Sequence, residues 1–178
     1  MKTESTPVPP IFSFVVVKFD VPNNLGRTYT KNGMESALLE FKEKIAKKQA
    51  LGEFYADTSE MDSCDVSMKN VSHIVENVYT GNLQDGGDAL VADVRILDTP
   101  KGKLVQELIT DGRAPYYIYK TGLINLSMRA SGIVSTDGRV EIKKIHAIDI
   151  IPAAIWSFRD KTNSIAEAFT IYKNTISR

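Results

Sequence analysis

Alternating side chains between Ala89 and Leu97 constrain the fold more than any other feature of the sequence. The inward set is Leu90, Ala92, Val94 and Ile96, and it alternates with Val91, Asp93 and Arg95. This period of two is that of a β-strand with one face against the core and one face in water. Strands of this kind belong mostly to antiparallel sheets, so the segment predicts such a sheet.

Further strand segments lie on both sides of this one. Ile11 to Phe19 is a nearly unbroken run of β-branched and aromatic residues, and its length suits a strand buried on both faces. Val71 to Tyr79 precedes the alternating segment and pairs with it through a turn at 84–88. A second predicted hairpin comprises Ile124–Ser135, the Asp137-Gly138 turn and Val140–Ile151.

Three segments have the periodicity of helices. Asn32 is expected to cap the first helix, with Glu35 at capping-box spacing, and Gly52 is expected to end it. Its predicted core stripe is Met34, Leu38, Phe41 and Ile45. Pro100 opens the second helix, and a third begins near Thr162. The inward residues are expected to be Leu104, Val105, Leu108 and Ile109 in the second, and Ile165, Phe169 and Tyr172 in the third.

These elements predict one α+β domain. The chain has 178 residues, which is enough for one sizeable core. Residues 1–10 are expected to form a flexible tail, residues 11–178 the domain, and Gly52 to Met68 a long polar loop. The predicted architecture is a mostly antiparallel sheet or barrel, with helices at its ends and against one face.

Composition excludes several function classes. The 22 basic and 22 acidic side chains cancel, and no basic cluster occurs, so nucleic acid is not the expected partner. No apolar run has the roughly 18–20 residues that cross a membrane, and the N-terminus lacks the apolar core of a signal peptide. His73, His146 and Cys64 are scattered, so neither a metal site nor a cofactor is expected. Cys64 is a possible nucleophile or an incidental thiol, and its being the one cysteine indicates a reducing compartment.

Ser127 stands in the stretch that most suggests chemistry. Arg129 follows two residues later and Gly132 three residues after that, with apolar strand residues on either side. A serine in this setting is a candidate nucleophile beside a loop that stabilises an oxyanion.

Five segments, in order, resemble motifs of the head-maturation (prohead core) proteases of T-even-like tailed phages, which are related in fold to herpesvirus assemblin. The segments are Asn23–Tyr29, Ala50–Glu53, Val71–Val75, Ser127–Gly132 and Ala147–Ile150. The resemblance covers roughly residues 11 to 154, and it implies a serine endopeptidase fold of the prohead protease or assemblin type.

The resemblance also assigns roles to individual residues. Ser127 occupies the nucleophile position, and Arg129 and the backbone of Met128 would support the oxyanion loop. Asp149 would orient the base. The family has a histidine shortly after its Leu-Gly-Glu motif, and this chain has Ala56 at that position.

Alanine cannot accept a proton, and loss of one triad member typically lowers activity on the order of 10⁴-fold or more. Four other side chains are possible bases: His73, His146, Glu53 and Asp57. His73 lies on a strand that the resemblance treats as structural. His146 is three residues from Asp149 on one strand, so the two side chains are expected on opposite faces.

Three hypotheses follow. The chain is a non-catalytic protein of protease fold with a structural role in the phage head, a maturation protease inactivated by a histidine-to-alanine change, or an active peptidase with an unusual base. The first is favoured, because several positions around the site depart from the family pattern.

The favoured hypothesis implies capsid and scaffold proteins as partners, possible self-association, and a place in the procapsid or virion, assembled in the bacterial cytoplasm. Two predicted contact surfaces are the terminal helix and Tyr116–Tyr119. The alternatives for Tyr116–Tyr119 are that they line a peptide groove or are half-buried in a strand or loop.

Overall fold

The computed structural model describes residues 11–23, 25–55, 64–83, 86–111, 124–152, 167–169 and 176–177. The strands within these ranges are β1 (Ile11–Lys18), β2 (Thr28–Tyr29), β3 (Leu51–Glu53), β4 (Val71–Leu83), β5 (Asp88–Ile96), β6 (Ile124–Val134), β7 (Arg139–Pro152), β8 (Glu167–Phe169) and β9 (Ile176–Ser177). The helices are α1 (Glu35–Ala46) and α2 (Pro100–Asp111).

The strands form two sheets. The first has the order β1-β5-β4-β3, with β9 also paired to β4, and every pairing in it is antiparallel. The second has the order β2-β7-β6-β8, in which only the short β2–β7 pairing is parallel. The predicted α+β class with a mostly antiparallel sheet is therefore confirmed.

Apolar side chains from both sheets and both helices form the main core. The predicted stripe of α1 faces this core: Met34 and Phe41 are buried, and Leu38 and Ile45 are partly buried. In α2, Val105 and Ile109 are buried, because a spacing of four residues puts them on the same face. Leu104 is 40% exposed, so its predicted inward position is wrong. It lies one helical step of about 100° away from Val105.

The ends of α1 differ from the sequence prediction. Asn32–Met34 form a 3₁₀ turn, α1 begins at Glu35, and no side chain caps either element. The helix ends at Ala46, where the Lys47 and Lys48 N–H groups bond to the Glu43 and Ile45 carbonyls and Lys48 adopts a positive φ. Gly52 therefore does not end the helix. It lies in β3, inside the segment that was predicted to be a loop.

The predicted terminal helix is wrong at Glu167–Phe169, which form a strand paired with Leu126–Met128. β6 pairs with β7 along one edge, and the backbone groups of its other edge pair with β8 at Leu126–Met128. The tail at 1–10, the tyrosines at 116–119 and the helix residues Ile165 and Tyr172 lie outside the described residues. Neither described helix is long and apolar enough to cross a membrane.

Gly52 lies where the two sheets meet. A Cβ atom at this position would stand 2.2 Å from His73 Nε2 and 2.3 Å from the Ile148 carbonyl oxygen. His73 is wholly buried on β4 and Ile148 is wholly buried on β7. Neither neighbour has free space to move into, so glycine allows β3 to approach both strands.

We expect Gly52→Ala to lower the free energy of unfolding by about 1–3 kcal/mol or more, because the added methyl group overpacks the junction of the sheets. Gly86→Ala is the matched control. It adds the same methyl group where no atom lies within 4 Å, at a φ of +83°, so it should cost about 1 kcal/mol from backbone strain alone. Urea denaturation of the three proteins measures both losses, and equal losses would show that the junction is not tight.

Candidate active site

The pairing of β6 with β7 brings together two predicted catalytic residues, Ser127 and Asp149, and Arg129, which was predicted to support the oxyanion loop. Ser127 lies directly opposite Asp149, and Arg129 lies opposite Ala147. Opposed residues share a face of a sheet, as do residues two apart on one strand. Ser127, Arg129 and Asp149 therefore share a face, and all three are at least 96% buried.

Arg129 is the centre of a buried ion network. Its Nε lies 3.0 Å from Asp149 Oδ2, and its Nη2 donates to Asp149 Oδ1 at 3.2 Å. The same Nη2 also donates to Glu53 Oε2 through a short hydrogen bond. The Glu53 backbone N–H in turn donates to Asp149 Oδ1 at 3.0 Å. One guanidinium thus holds two carboxylates that come from β3 and β7.

The network also fixes the chain on both sides of residues 56–63. On one side, the Tyr55 hydroxyl donates to Glu53, and its ring lies 5.5 Å from the Arg129 guanidinium carbon. On the other side, the Ser67 N–H donates to Glu53 Oε1 at 3.0 Å, and Arg129 Nη1 donates to the Asp65 carbonyl at 3.1 Å. Residue 56, at the predicted histidine position, and residue 57 lie outside the described residues, so both assignments stay predictions.

Burial shifts the acid–base properties of this network. The pKa of Asp149 is raised to about 6, because burial disfavours its charge more than Arg129 and the Glu53 N–H stabilise it. The pKa of Tyr55 is raised by burial, by its hydrogen bond to Glu53 and by the charge of Asp149. Burial is the largest single influence on the pKa of Arg129 and lowers it, but Asp149, Tyr55 and Glu53 together outweigh burial, so the net shift is upward. Near neutral pH, Arg129 and Tyr55 therefore keep their protons.

The surroundings of Met128 and Arg129 bear on their predicted part in an oxyanion loop. Met128 is wholly buried, and it is paired on both sides, with Ile148 of β7 and Glu167 of β8. The Arg129 guanidinium is turned towards two carboxylates and a backbone carbonyl. These contacts give both residues a structural part, and their role at an oxyanion stays a prediction.

His73 is committed to contacts within the core. Its Nε2 lies 2.9 Å from the Ile148 carbonyl oxygen, and its Nδ1 lies 2.9 Å from Ser72 Oγ. A carbonyl only accepts, so Nε2 carries the proton and Nδ1 accepts from the Ser72 hydroxyl. Burial lowers the pKa of His73 to about 4, despite the hydrogen bond to the carbonyl, so the ring is neutral. Neither ring nitrogen is left to act on Ser127.

His146 lies elsewhere on the same hairpin. It is half-buried, and its Nε2 lies 3.1 Å from Oγ of the exposed Ser131. Ser131 is four residues beyond Ser127 on β6, about 13 Å along a strand. This serine–histidine pair was not found from the sequence. Fifteen residues separate its members, and irregular pairing of β6 with β7 brings them together.

The contacts of Cys64 and Glu53 do not indicate a catalytic role. Cys64 is an exposed free thiol. Glu53 is fully buried and accepts hydrogen bonds from Arg129, Tyr55 and Ser67, which leaves it poorly placed to act as a general base. In the part of the chain that the structure describes, no group of three or more histidine, cysteine or acidic side chains is arranged to hold a metal ion.

Comparison with known proteins identifies a similar fold. The structure of the bacteriophage T4 capsid assembly protease, gp21, matches 80% of this chain and 81% of its own chain, with a TM-score of 0.56 and 18% sequence identity. No protein-family model and no curated protein matches the sequence. The predicted resemblance to phage head proteases is thus confirmed for the fold. The relation to herpesvirus assemblin stays a prediction.

His73 and Asp149 are expected to make opposite contributions to acid stability. The native pKa of His73, about 4, lies below its ordinary value of 6.5, so its contribution is lost as the pH falls from 6.5 to 4. The native pKa of Asp149, about 6, lies above its ordinary value of 3.8, so its contribution is gained as the pH falls through 6 towards 4. Each shift corresponds to roughly 3 kcal/mol, and the two nearly cancel.

We therefore expect Asp149→Asn to become markedly less stable than the unaltered chain when the pH is lowered from 7 to 4.5. His73→Gln should show the reverse trend relative to the unaltered chain. Urea denaturation at a series of pH values measures both. The other carboxylates are common to all three proteins, so the differences between the curves report the two substituted residues. Parallel curves would contradict the assignment.

Proposed function

We propose that this chain has the fold of a phage capsid assembly protease but is non-catalytic as a protease, and that it has a structural role in the phage head. The observation that carries the proposal is the position of both histidines. The sequence contains only His73 and His146, and each is bound to a partner other than Ser127.

The chemical argument concerns the base. A serine hydroxyl becomes a nucleophile when a base lies within about 2.6–3.2 Å of it. His73 uses both ring nitrogens inside the core, and His146 lies beside Ser131. The fold's predicted histidine position carries Ala56, which has no proton acceptor.

The burial of Ser127 supports the same conclusion. Its side chain is fully buried, and its strand lies between β7 and β8. A nucleophile has to meet the scissile carbonyl of a substrate, and a buried hydroxyl between two paired strands does not. Arg129 and Asp149 do not require a catalytic role to account for their presence, because both are held in the buried ion network with Glu53.

One observation favours a second candidate, a maturation serine endopeptidase of scaffold and capsid proteins that carries an inactivating histidine-to-alanine change. Ser127, Arg129 and Asp149 still share one face of the sheet, as a catalytic serine and the acid of a triad would. In that case the only missing part is the base at residue 56, and restoring it restores cleavage.

The proposed partners are the capsid and scaffold proteins of a tailed phage, with a second copy of this chain as a further possibility. The argument rests on the fold: the similar T4 protein is a capsid assembly protease. A protein of this fold without cleavage activity retains the surfaces by which the fold is held in an assembling head. The proposed location is accordingly the procapsid or virion, assembled in the bacterial cytoplasm.

Cleavage of a phage scaffold protein distinguishes the two candidates. We expect neither the unaltered chain nor Ala56→His to cut it, with Ser127→Ala and Ala56→His/Ser127→Ala as matched controls. Gel electrophoresis and mass spectrometry of the scaffold protein provide the readout. Cleavage by Ala56→His that is lost in the double variant would support the inactivated protease. Cleavage by the unaltered chain that is lost in Ser127→Ala would contradict both candidates.

The structural role has a separate test. We expect the chain to sediment with procapsids assembled from capsid and scaffold proteins, because a structural component is retained by the shell. Light scattering over a range of concentrations tests self-association. A chain that stays monomeric and remains in the supernatant would overturn the structural role.

A further inference from the structure

Ser131 is exposed and lies beside a histidine, whereas Ser127 is buried and neither histidine is directed to it. Ser131 Oγ is exposed, and it lies 3.1 Å from His146 Nε2, within the distance over which a base takes a hydroxyl proton. The His146 backbone carbonyl accepts a hydrogen bond from Lys44 Nζ at 3.3 Å, which ties this part of β7 to α1. The strand that carries the base is thus anchored, and the hydroxyl is open to solvent.

Charged groups on every neighbouring element act on this pair. Lys144 of β7 lies directly opposite Ser131, Lys44 comes from α1, and Arg129 comes from β6. Burial lowers the pKa of His146, and Lys144, Lys44 and Arg129 lower it further, against a smaller opposite effect of Asp65. Glu40 of α1 faces Lys144 at 3.6 Å. The imidazole is therefore neutral near pH 7, and the two charges that affect it most are those of Lys144 and Lys44.

We propose that Ser131 and His146 form a nucleophile–base pair, separate from Ser127, that accepts acyl groups from small esters with a negatively charged acyl portion. Three observations carry the proposal: the distance between Oγ and Nε2, the exposure of Ser131, and the lysines of α1 and β7 beside the pair.

The reaction balances without any further reactant. His146 Nε2 takes the proton of the Ser131 hydroxyl as Oγ forms a bond to the acyl carbon. The bond between that carbon and the ester oxygen then breaks, and the leaving alcohol takes the proton from Nε2. Water hydrolyses the acyl-serine by the same route, with His146 again acting as the base. A positioned base of this kind contributes about 10²–10⁴-fold to the rate.

The test uses the full chain and two activated esters, 4-nitrophenyl acetate and 4-nitrophenyl hemisuccinate. Release of nitrophenol gives the rate, and mass spectrometry of the digested protein gives the acylated residue. We expect acylation at Ser131, a faster reaction with the hemisuccinate, and a rate that rises with pH and levels off before pH 7. His146→Gln retains a side chain that can hydrogen-bond to Ser131, and it should react about 10²-fold more slowly.

Ser135→Ala is the matched control. Ser135 is exposed near the tip of the same hairpin, but its hydroxyl bonds to Asp137 and to the Arg139 carbonyl and not to a histidine. We expect this variant to react like the unaltered chain and Ser131→Ala to lose the reaction. Acylation confined to lysines, or a His146→Gln rate equal to that of the unaltered chain, would overturn the pair. Equal rates with the two esters would overturn the substrate class.

Discussion

The contacts of Arg129 with Glu53 and Asp149 are the interaction on which the rest of the site depends. Moving a single ion from water into a protein interior costs several kcal/mol, and only a well-bonded partner offsets that cost. Here the guanidinium binds both carboxylates, and backbone groups of Glu53, Asp65 and Ser67 make further hydrogen bonds to the three charged side chains. Breaking such a group by removing one member typically costs about 3–5 kcal/mol. In the proposed non-catalytic protein, removal of any one of these residues would therefore still cost stability.

A second link joins the two sheets without net charge. Neutral His73 donates to the Ile148 carbonyl and accepts from Ser72, and Gly52 leaves room for the ring. The link and the ion network share strands β3 and β7, since Gly52 neighbours Glu53 and Ile148 neighbours Asp149. A displacement of β3 would therefore disturb both. This proximity gives Leu51-Gly52-Glu53 a structural part in joining the two sheets.

The periodicity of the sequence was sufficient to predict most strands and helices, but it did not predict the register in which β6 pairs with β7. Counted back from the Asp137-Gly138 turn, Asp149 would lie opposite Asn125, and His146 opposite Met128. Two irregularities, at Arg129/Ala130 and Ser131/Gly132, shift the pairing so that Asp149 meets Ser127 and Ser131 meets Lys144. The irregularity at Ser131/Gly132 has a weak signal, because an isolated glycine inside a strand suggests a bulge, whereas the one at Arg129/Ala130 has none. The strand at 167–169 was missed because the backbone edge of β6 with which it pairs is not visible in the local sequence.

Ser127 and Ser131 of β6 show that a serine within a recognised motif is not necessarily the serine whose surroundings favour reactivity. The motif selects Ser127, but its hydroxyl is fully buried beside Asp149, and neither histidine is directed to it. Ser131 belongs to the same motif only as a spacer, and it is the one that is exposed and adjacent to an imidazole. Nucleophilicity depends on a base within reach and on access to a substrate. Both conditions depend on the pairing of β6 with β7, which gives the two serines different surroundings.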